Sequence, residues 1–187
     1  MYRCIIVLFF LVFLTPSLIM AADDDGPWNK YTIMPEDFEH PDTPKFEQYK
    51  VPIKFQGKPA PVNIRSHPKA GTWRTRLKEG SKEGPNFADH ITIVTWGCGT
   101  DCFQIAFVDA RNGQVYFDDK LACNVAVNIH DDVWGQSISY RRDSSLLIVA
   151  GCPNEECSTR RGVNYFIWTG HGLKEIFRVP RGWYPEK

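Results

Sequence analysis

From residue 90 onward, apolar and polar positions alternate with a period of two, which is the spacing of a β-strand. In the first such segment, residues 91–96, neither face carries a charge, so both faces are expected to be covered. Asn112-Gly113 supplies the positive φ that a hairpin turn requires. Strands separated by tight turns predict a mainly β domain, an antiparallel meander that forms a sandwich or a barrel. Further strands are predicted at residues 103–108, 114–117, 124–129, 137–140, 146–150, 163–168 and 173–179.

A period of three to four replaces this alternation between residues 66 and 79. Ala70, Trp73 and Leu77 fall on one helical face, and basic residues lie opposite. Ser66 is placed to accept a hydrogen bond from an early helical N–H group. The pattern predicts one short helix near the N-terminus of the domain, packed on the sheet through Trp73 and Leu77.

The segment before this helix, residues 22–62, contains seven prolines. Because proline lacks an N–H donor and fixes φ, the segment is predicted to be an extended, irregular lead-in without helix or central strand. Alternation at residues 49–55 predicts an edge strand within it. Residues 63–187 are interpreted as a single β-rich domain.

The N-terminus has the features of a secretory signal peptide, predicted to cover residues 1–21. Arg3 precedes an apolar run at residues 5–14, and Pro16 and small residues follow it. The run is shorter than the roughly 20 apolar residues that span a bilayer, so we expect no integral membrane span after cleavage. An uncleaved anchor is the alternative.

The charges of the chain balance. It has 22 Lys+Arg and 22 Asp+Glu, and loss of Arg3 with the signal gives 21 − 22 = −1. This balance argues against a nucleic-acid partner, which usually demands a basic face, and gives no reason to expect an anionic membrane surface. The pairs Arg141-Arg142 and Arg160-Arg161 are interpreted as solvated turn residues.

Five of the six cysteines follow the predicted signal peptide, and cysteines of exported proteins usually pair. Close spacing favours Cys98 with Cys102 and Cys152 with Cys157. Cys123 is then left over. It is either a buried free thiol or part of a long-range bridge with a different pairing of the others.

Residues 84–102 combine special residues at a high density, in two blocks: Gly84-Pro85-Asn86-Phe87-Ala88-x-His90 and Trp96-Gly97-Cys98-Gly99-Thr100-x-Cys102. With the following Val108-Asp109-Ala110-x-x-Gly113-x-Val115-Tyr116, they resemble a group of exported bacterial proteins of unassigned function. The likeness covers about residues 60–180. It implies a periplasmic or secreted location and carries no catalytic assignment. The sequence departs from the pattern at Asp89, where glycine is expected.

The loop from Cys98 to Cys102 allows three kinds of chemistry. It is interpreted first as a structural disulfide, then as a copper, zinc or thiol-redox site, and last as a nucleophilic cysteine that needs a histidine. His90 lies about 20 Å from the loop if the strand is straight, so it is interpreted as a histidine bonded to a neighbouring turn. His130 is assigned to a solvated loop.

These observations favour a non-catalytic binding protein of the bacterial envelope, with no cofactor and no metal. The predicted contact residues are Asp101 in the cysteine loop, Trp96, Trp134 and His90. The expected partner is an envelope protein, for instance a hydrolase that the chain inhibits. The alternative function is metal binding or thiol redox chemistry at Cys98 and Cys102.

Overall fold

A computed structural model of the chain describes residues 31–182. The predicted signal peptide lies outside these residues. The described part is mainly antiparallel β, as predicted. Its eight strands are β1 (Ile91–Gly99), β2 (Cys102–Asp109), β3 (Val115–Tyr116), β4 (Cys123–Val125), β5 (Ile138–Tyr140), β6 (Leu146–Pro153), β7 (Gly162–Trp168) and β8 (Leu173–Pro180).

All eight strands belong to one sheet with the order β1-β2-β4-β6-β7-β8, while β3 pairs with β2 and β5 pairs with β6. The sheet does not close into a barrel. It folds over on itself, because Phe107 of β2 stacks on Trp168 of β7 with ring centroids 5.0 Å apart. Those strands are three steps apart in a sheet whose steps are about 4.8 Å each. Of the two predicted architectures, the structure is therefore the sandwich.

Three apolar clusters follow from this folding. The first lies between the two halves of the sheet and includes Phe87, Ile93, Phe107, Val149 and Phe166. The other faces of the two halves carry the second and third clusters. Both faces of β1 are therefore covered along residues 91–94, as its uncharged pattern predicts.

The predicted helix is present but shorter, and it is split. A 3-10 helix, Pro68–Ala70, precedes the helix Arg74–Gly80 (α2), and Trp73 lies between them with non-helical angles. Ala70 and Leu77 are fully buried against β1 and β2, so the predicted apolar face is confirmed. The predicted cap is wrong.

The capping group is His67, whose ring accepts the N–H of Lys69. Ser66 has another role. Its hydroxyl donates to the carbonyl of Asn63 and accepts from the N–H of Val115, at 2.6 Å and 2.9 Å. This side chain therefore joins the segment before the helix to β3, and it is not free to cap.

The proline-rich lead-in is more ordered than its prolines predict. It contains helix α1 (Pro35–Phe38) and a 3-10 helix, Phe46–Tyr49. Pro35 is at the first helical position, where its missing N–H has no partner to lose. The predicted edge strand at residues 49–55 is reduced to one bridge between Lys50 and Ser144. The lead-in packs on the outer face of β6 and β7 through the fully buried Ile33.

The remaining α-helix of the described residues, α3 (Cys157–Arg160), is a single turn between β6 and β7. Two further 3-10 helices are Ser81–Glu83 and Asp131–Gln136. Among residues 31–182, no helix has the length and apolar character that crossing a membrane requires.

Candidate functional site

The hairpin of β1 and β2 ends in a tip that a disulfide closes, residues 97–102. Cys98 and Cys102 are bonded, with their Cα atoms 5.2 Å apart, so the predicted pairing is confirmed. Residues 97–101 are all exposed. The register of the two strands shifts between Gly97 and Gly99, where the chain leaves the regular ladder. The tip is therefore a short loop with an imposed shape at the surface.

One side of the tip is held by main-chain contacts to β4. Cys102 pairs with Val125, and the N–H of Ala126 donates to the carbonyl of Asp101 at 2.6 Å. Asp101 has a φ of 54°, which is unusual for a residue with a side chain. Its carboxylate and the Thr100 hydroxyl point into solvent, free of hydrogen bonds to residues 31–182. The backbone of the tip is thus fixed while its polar side chains stay available.

The chemistry of the tip does not favour a reactive thiol. Reactive cysteines have a lowered pKa beside a cation or a helix N-terminus. The tip contains neither, and its one charged residue, Asp101, is an anion. Both sulfurs are engaged in the disulfide. Within residues 31–182, no group of three or more His, Cys, Asp or Glu side chains is placed to hold a metal ion.

The two tryptophans proposed as contact residues differ in burial. Trp96 is 7 % exposed; its indole N–H donates to Gln104, and its ring lies 5.0 Å from that of Trp73. Its assignment to a contact surface is therefore corrected, since Trp96 is a core residue beneath the helix. Trp134 is 43 % exposed and lies in a separate 3-10 helix, Asp131–Gln136.

His90 lies at the opposite end of the hairpin, in a charged network that we call the base network: Asp89, His90, Asp109, Arg111 and Arg142. Nδ1 of His90 lies 3.2 Å from Asp89 and Nε2 lies 3.9 Å from Asp109. Arg111 donates hydrogen bonds to the buried Asp109 carboxylate from Nε and Nη2, and Nη2 lies 2.7 Å from Oδ2. The prediction that His90 bonds to a neighbouring turn is confirmed. The structure does not bring His90 to the cysteine loop.

Asp89 joins three segments of the chain. Its carboxylate accepts the N–H groups of Lys54 and Phe55 at 2.6 Å and 2.9 Å. Arg142 donates to the carbonyls of Asp89 and Phe55. The φ of Asp89 is 70°, a conformation that glycine adopts without strain. The aspartate that departs from the resembled pattern thus stands at a glycine-like position and attaches the lead-in to the sheet.

The surroundings of both carboxylates shift their ionisation. Burial raises the pKa of Asp109, but the hydrogen bonds and charge of Arg111, with a smaller effect of His90, outweigh it and hold the pKa below its usual value. Burial also opposes ionisation of Asp89, and the backbone N–H groups of Phe55 and Lys54 more than compensate, so its pKa is lowered too. Both groups are therefore anionic parts of the folded structure at neutral pH.

The arginine pairs are not simply solvated turn residues, and that interpretation is corrected. Arg142 is half-buried in the base network, and Arg161 is 2 % exposed and donates to the carbonyl of Tyr31 at 3.3 Å. The sequence missed them because their partners lie far away along the chain. Arg141 is exposed and pairs with Glu47 and Asp143, so only this member fits the prediction.

The second predicted disulfide, between Cys152 and Cys157, is also present, with Cα atoms 4.8 Å apart. It closes the loop between β6 and α3. Cys123 is a free, half-buried thiol on the neighbouring strand β4. Burial and, to a smaller degree, the charge of Glu155 raise its pKa, so it remains a protonated thiol at neutral pH.

The fold and the site define a class of protein: a mainly β sandwich with a disulfide-closed hairpin tip at its surface. In comparisons with protein-family models, curated proteins and solved structures, the chain has no significant match.

Proposed function

We propose that this chain is an exported, non-catalytic binding protein of the bacterial envelope, and that it contacts a partner protein through the tip. The observation that carries the proposal is the arrangement of residues 97–102. Residues 97–101 are exposed, and the loop is closed by a disulfide and held by main-chain contacts, with polar side chains at Thr100 and Asp101 that make no hydrogen bond to residues 31–182.

Such an arrangement favours binding because a preformed loop loses little conformational freedom when it contacts a partner. The disulfide restricts the loop before binding, and β2 pairs with β1 and β4 behind it. Protein-binding loops commonly stand on scaffolds of this kind.

The base network supports a role without catalysis. Its carboxylates are engaged in bonds to Arg111 and to the backbone of the lead-in, and both ring nitrogens of His90 face carboxylates. These groups hold elements of the fold together. Two disulfides support the proposed export, because disulfides form and persist in oxidising compartments.

The test is a photocrosslinking amino acid placed at Thr100 of the mature protein, with the same group at Ser158 of α3 as the control. Both positions are exposed. In an envelope extract of the native organism, we expect a discrete protein adduct from Thr100 and none from Ser158. An excess of the protein without the crosslinking group should suppress formation of the adduct. If the captured protein is a hydrolase, its inhibition by the chain is then assayed. Equal adducts from both positions, or none from Thr100, would overturn the proposal.

Thiol redox chemistry at the tip is the second candidate. The one observation that favours it is that Cys98 is exposed. It requires the Cys98–Cys102 bond to cycle, so the Cys98→Ser/Cys102→Ser variant must lose catalysed reduction of a disulfide substrate by dithiothreitol. We expect the unmodified protein to catalyse no such reduction, because residues 97–102 include no cation and no helix N-terminus that would activate a thiol.

A further inference from the structure

The balanced charge of the whole chain conceals a strongly basic segment. Residues 48–78 contain eight Lys and Arg and no Asp or Glu, so their formal charge is 8 − 0 = +8. The rest of the chain holds 22 − 8 = 14 basic and 22 acidic residues, a formal charge of −8. Segregation of this kind favours a partner of opposite charge.

The fold turns part of this segment into a groove of about 470 Å³, which we call the lysine groove. Residues 58–62 line one side and α2 with the turn after it lines the other. The chain of residues 58–62 is fixed there, since the N–H of Ala60 donates to the carbonyl of Ala110 at 2.8 Å and Pro59 lies against Gly84. The groove is therefore a formed feature of the surface.

The groove combines cations with an apolar lining. Lys58, Lys78 and Lys82 are exposed, and the apolar part of the lining consists of Pro59, Ala60, Pro61 and Val62. None of the three lysines makes an ion pair with a carboxylate within residues 31–182. The buried Ser81 hydroxyl donates to the carbonyl of Leu77 and is not available as a donor to a ligand. The ligand must therefore be recognised by lysine charge and apolar contact.

These properties select among anionic partners. Single-stranded nucleic acids stack their bases on aromatic side chains, and no aromatic residue lines the groove. Attraction of a basic surface to an anionic bilayer is electrostatic and makes no use of the apolar residues between the lysines. An extended peptide fits, because its carboxylates can reach the lysines while the small side chains between them lie on the prolines.

We propose that the lysine groove binds an acidic, extended peptide segment of a protein partner. The groove shares no residue with the tip, so this is a second contact surface. The proposal rests on the proposed function only in requiring a protein partner. A direct peptide assay and crosslinking at Thr100 can fail independently.

The experiment measures fluorescence anisotropy of a labelled octapeptide that alternates glutamate with alanine, titrated with the mature protein at low salt. The same peptide with glutamine in place of glutamate is the ligand control. We expect the glutamate peptide to bind and the glutamine peptide to bind at least about tenfold more weakly. Raising the salt should weaken binding, because exposed charges are screened.

The variant Lys58→Gln/Lys78→Gln/Lys82→Gln should bind the glutamate peptide at least about eightfold more weakly, since each exposed pair contributes about a two- to fivefold effect and the three effects multiply. The matched control is Lys50→Gln/Lys54→Gln/Lys69→Gln, which removes the same charge from three exposed lysines outside the groove. The control should bind nearly as the unmodified protein does. All six side chains are exposed, so both variants should keep the circular dichroism spectrum and melting temperature of the unmodified protein.

Three results would overturn the proposal. One is the absence of peptide binding by the unmodified protein. Another is an equal loss in the two triple variants, which would indicate a general positive field instead of a site. The third is tighter, groove-dependent binding of a sulfated polysaccharide or of vesicles containing phosphatidylserine.

Discussion

The two ends of the β1–β2 hairpin each carry an aspartate with a positive φ, and the two aspartates behave differently. At the base, Asp89 has a φ of 70° and its carboxylate accepts two N–H groups of the lead-in. At the tip, Asp101 has a φ of 54°, and its carboxylate makes no hydrogen bond within the described residues. The same residue in the same unusual conformation thus stabilises the fold at one end and is free for contact at the other.

The difference follows from what surrounds each end. The base meets the lead-in and the turn between β5 and β6, so its polar groups are bonded across long stretches of chain. The tip extends past its neighbours and is constrained by its own disulfide and by Ala126. The free energy of unfolding should therefore depend on the carboxylate at the base far more than on the carboxylate at the tip.

Replacement of each aspartate by glycine is the sharpest test of this contrast. Glycine suits both backbone conformations, so the exchange removes the carboxylate without adding strain. Asp89→Gly should lower the free energy of unfolding by about 3 kcal/mol, because two hydrogen bonds to a charged acceptor contribute about 1.5 kcal/mol each. Asp101→Gly should change it by less than about 0.5 kcal/mol, as exposed substitutions usually do. Urea unfolding of the mature protein at neutral pH measures both.

Asp89→Asn is the control for charge. Asparagine tolerates a positive φ and still offers one oxygen to the two N–H groups. The free energy of unfolding of Asp89→Asn should therefore lie between that of the unmodified protein and that of Asp89→Gly. The contrast between the ends fails if Asp89→Gly is nearly neutral, or if Asp101→Gly destabilises the protein as much.

Removal of the tip disulfide should have the next largest effect. The Cys98→Ser/Cys102→Ser variant should be less stable by about 2 kcal/mol, because the bond restricts only a short loop of the unfolded chain. Hydrogen exchange should quicken for the amides of residues 97–101. The amides of residues 91–94 should keep their protection relative to the global stability.

Selective loss of protection at residues 91–94 would show that the two ends are coupled, against the contrast drawn here. The variant Cys152→Ser/Cys157→Ser is the matched control, since it opens a loop of similar length beside α3 and should leave the tip amides unchanged.

Local patterns were enough to predict most of the strands, the hairpin turns and the two disulfides, although the strand predicted at residues 124–129 ends at Val125 and that at residues 49–55 is reduced to one bridge. Period-two alternation indicates which residues share a face of a strand, but it does not show which other element covers that face. The sequence therefore predicts Trp96 as a contact residue, whereas in the structure Trp73 and the helix cover it. The wrong prediction of the cap has a similar cause, because the Ser66 hydroxyl is engaged 49 positions away at Val115.

The base network could not be predicted for the same reason. Lys54 and Asp89 are 35 positions apart, and Arg142 and Asp89 are 53 apart. No local pattern indicates that a lead-in crosses one end of a hairpin. The one signal in the sequence was Asp89 at a position where the resembled pattern has glycine, since a glycine position often needs a positive φ and an aspartate there adds a carboxylate.

The smallest expected effect is the pH dependence of the base. Asp89 and Asp109 have lowered pKa values in the folded protein, so their contribution to stability is complete above the unfolded-state pKa of about 3.9 and is lost as the pH falls through the folded-state values. Urea unfolding of the unmodified protein and of Asp89→Gly gives the free energy of unfolding of each at several pH values from neutral to about pH 3. The two plots of this free energy against pH should converge at acid pH. Convergence should be partial, because a protonated Asp89 keeps an oxygen that accepts an N–H, and Asp109 contributes to both curves. Parallel curves would mean that the charge of Asp89 adds nothing to its hydrogen bonds, and the base would then resemble the tip more closely than its geometry indicates.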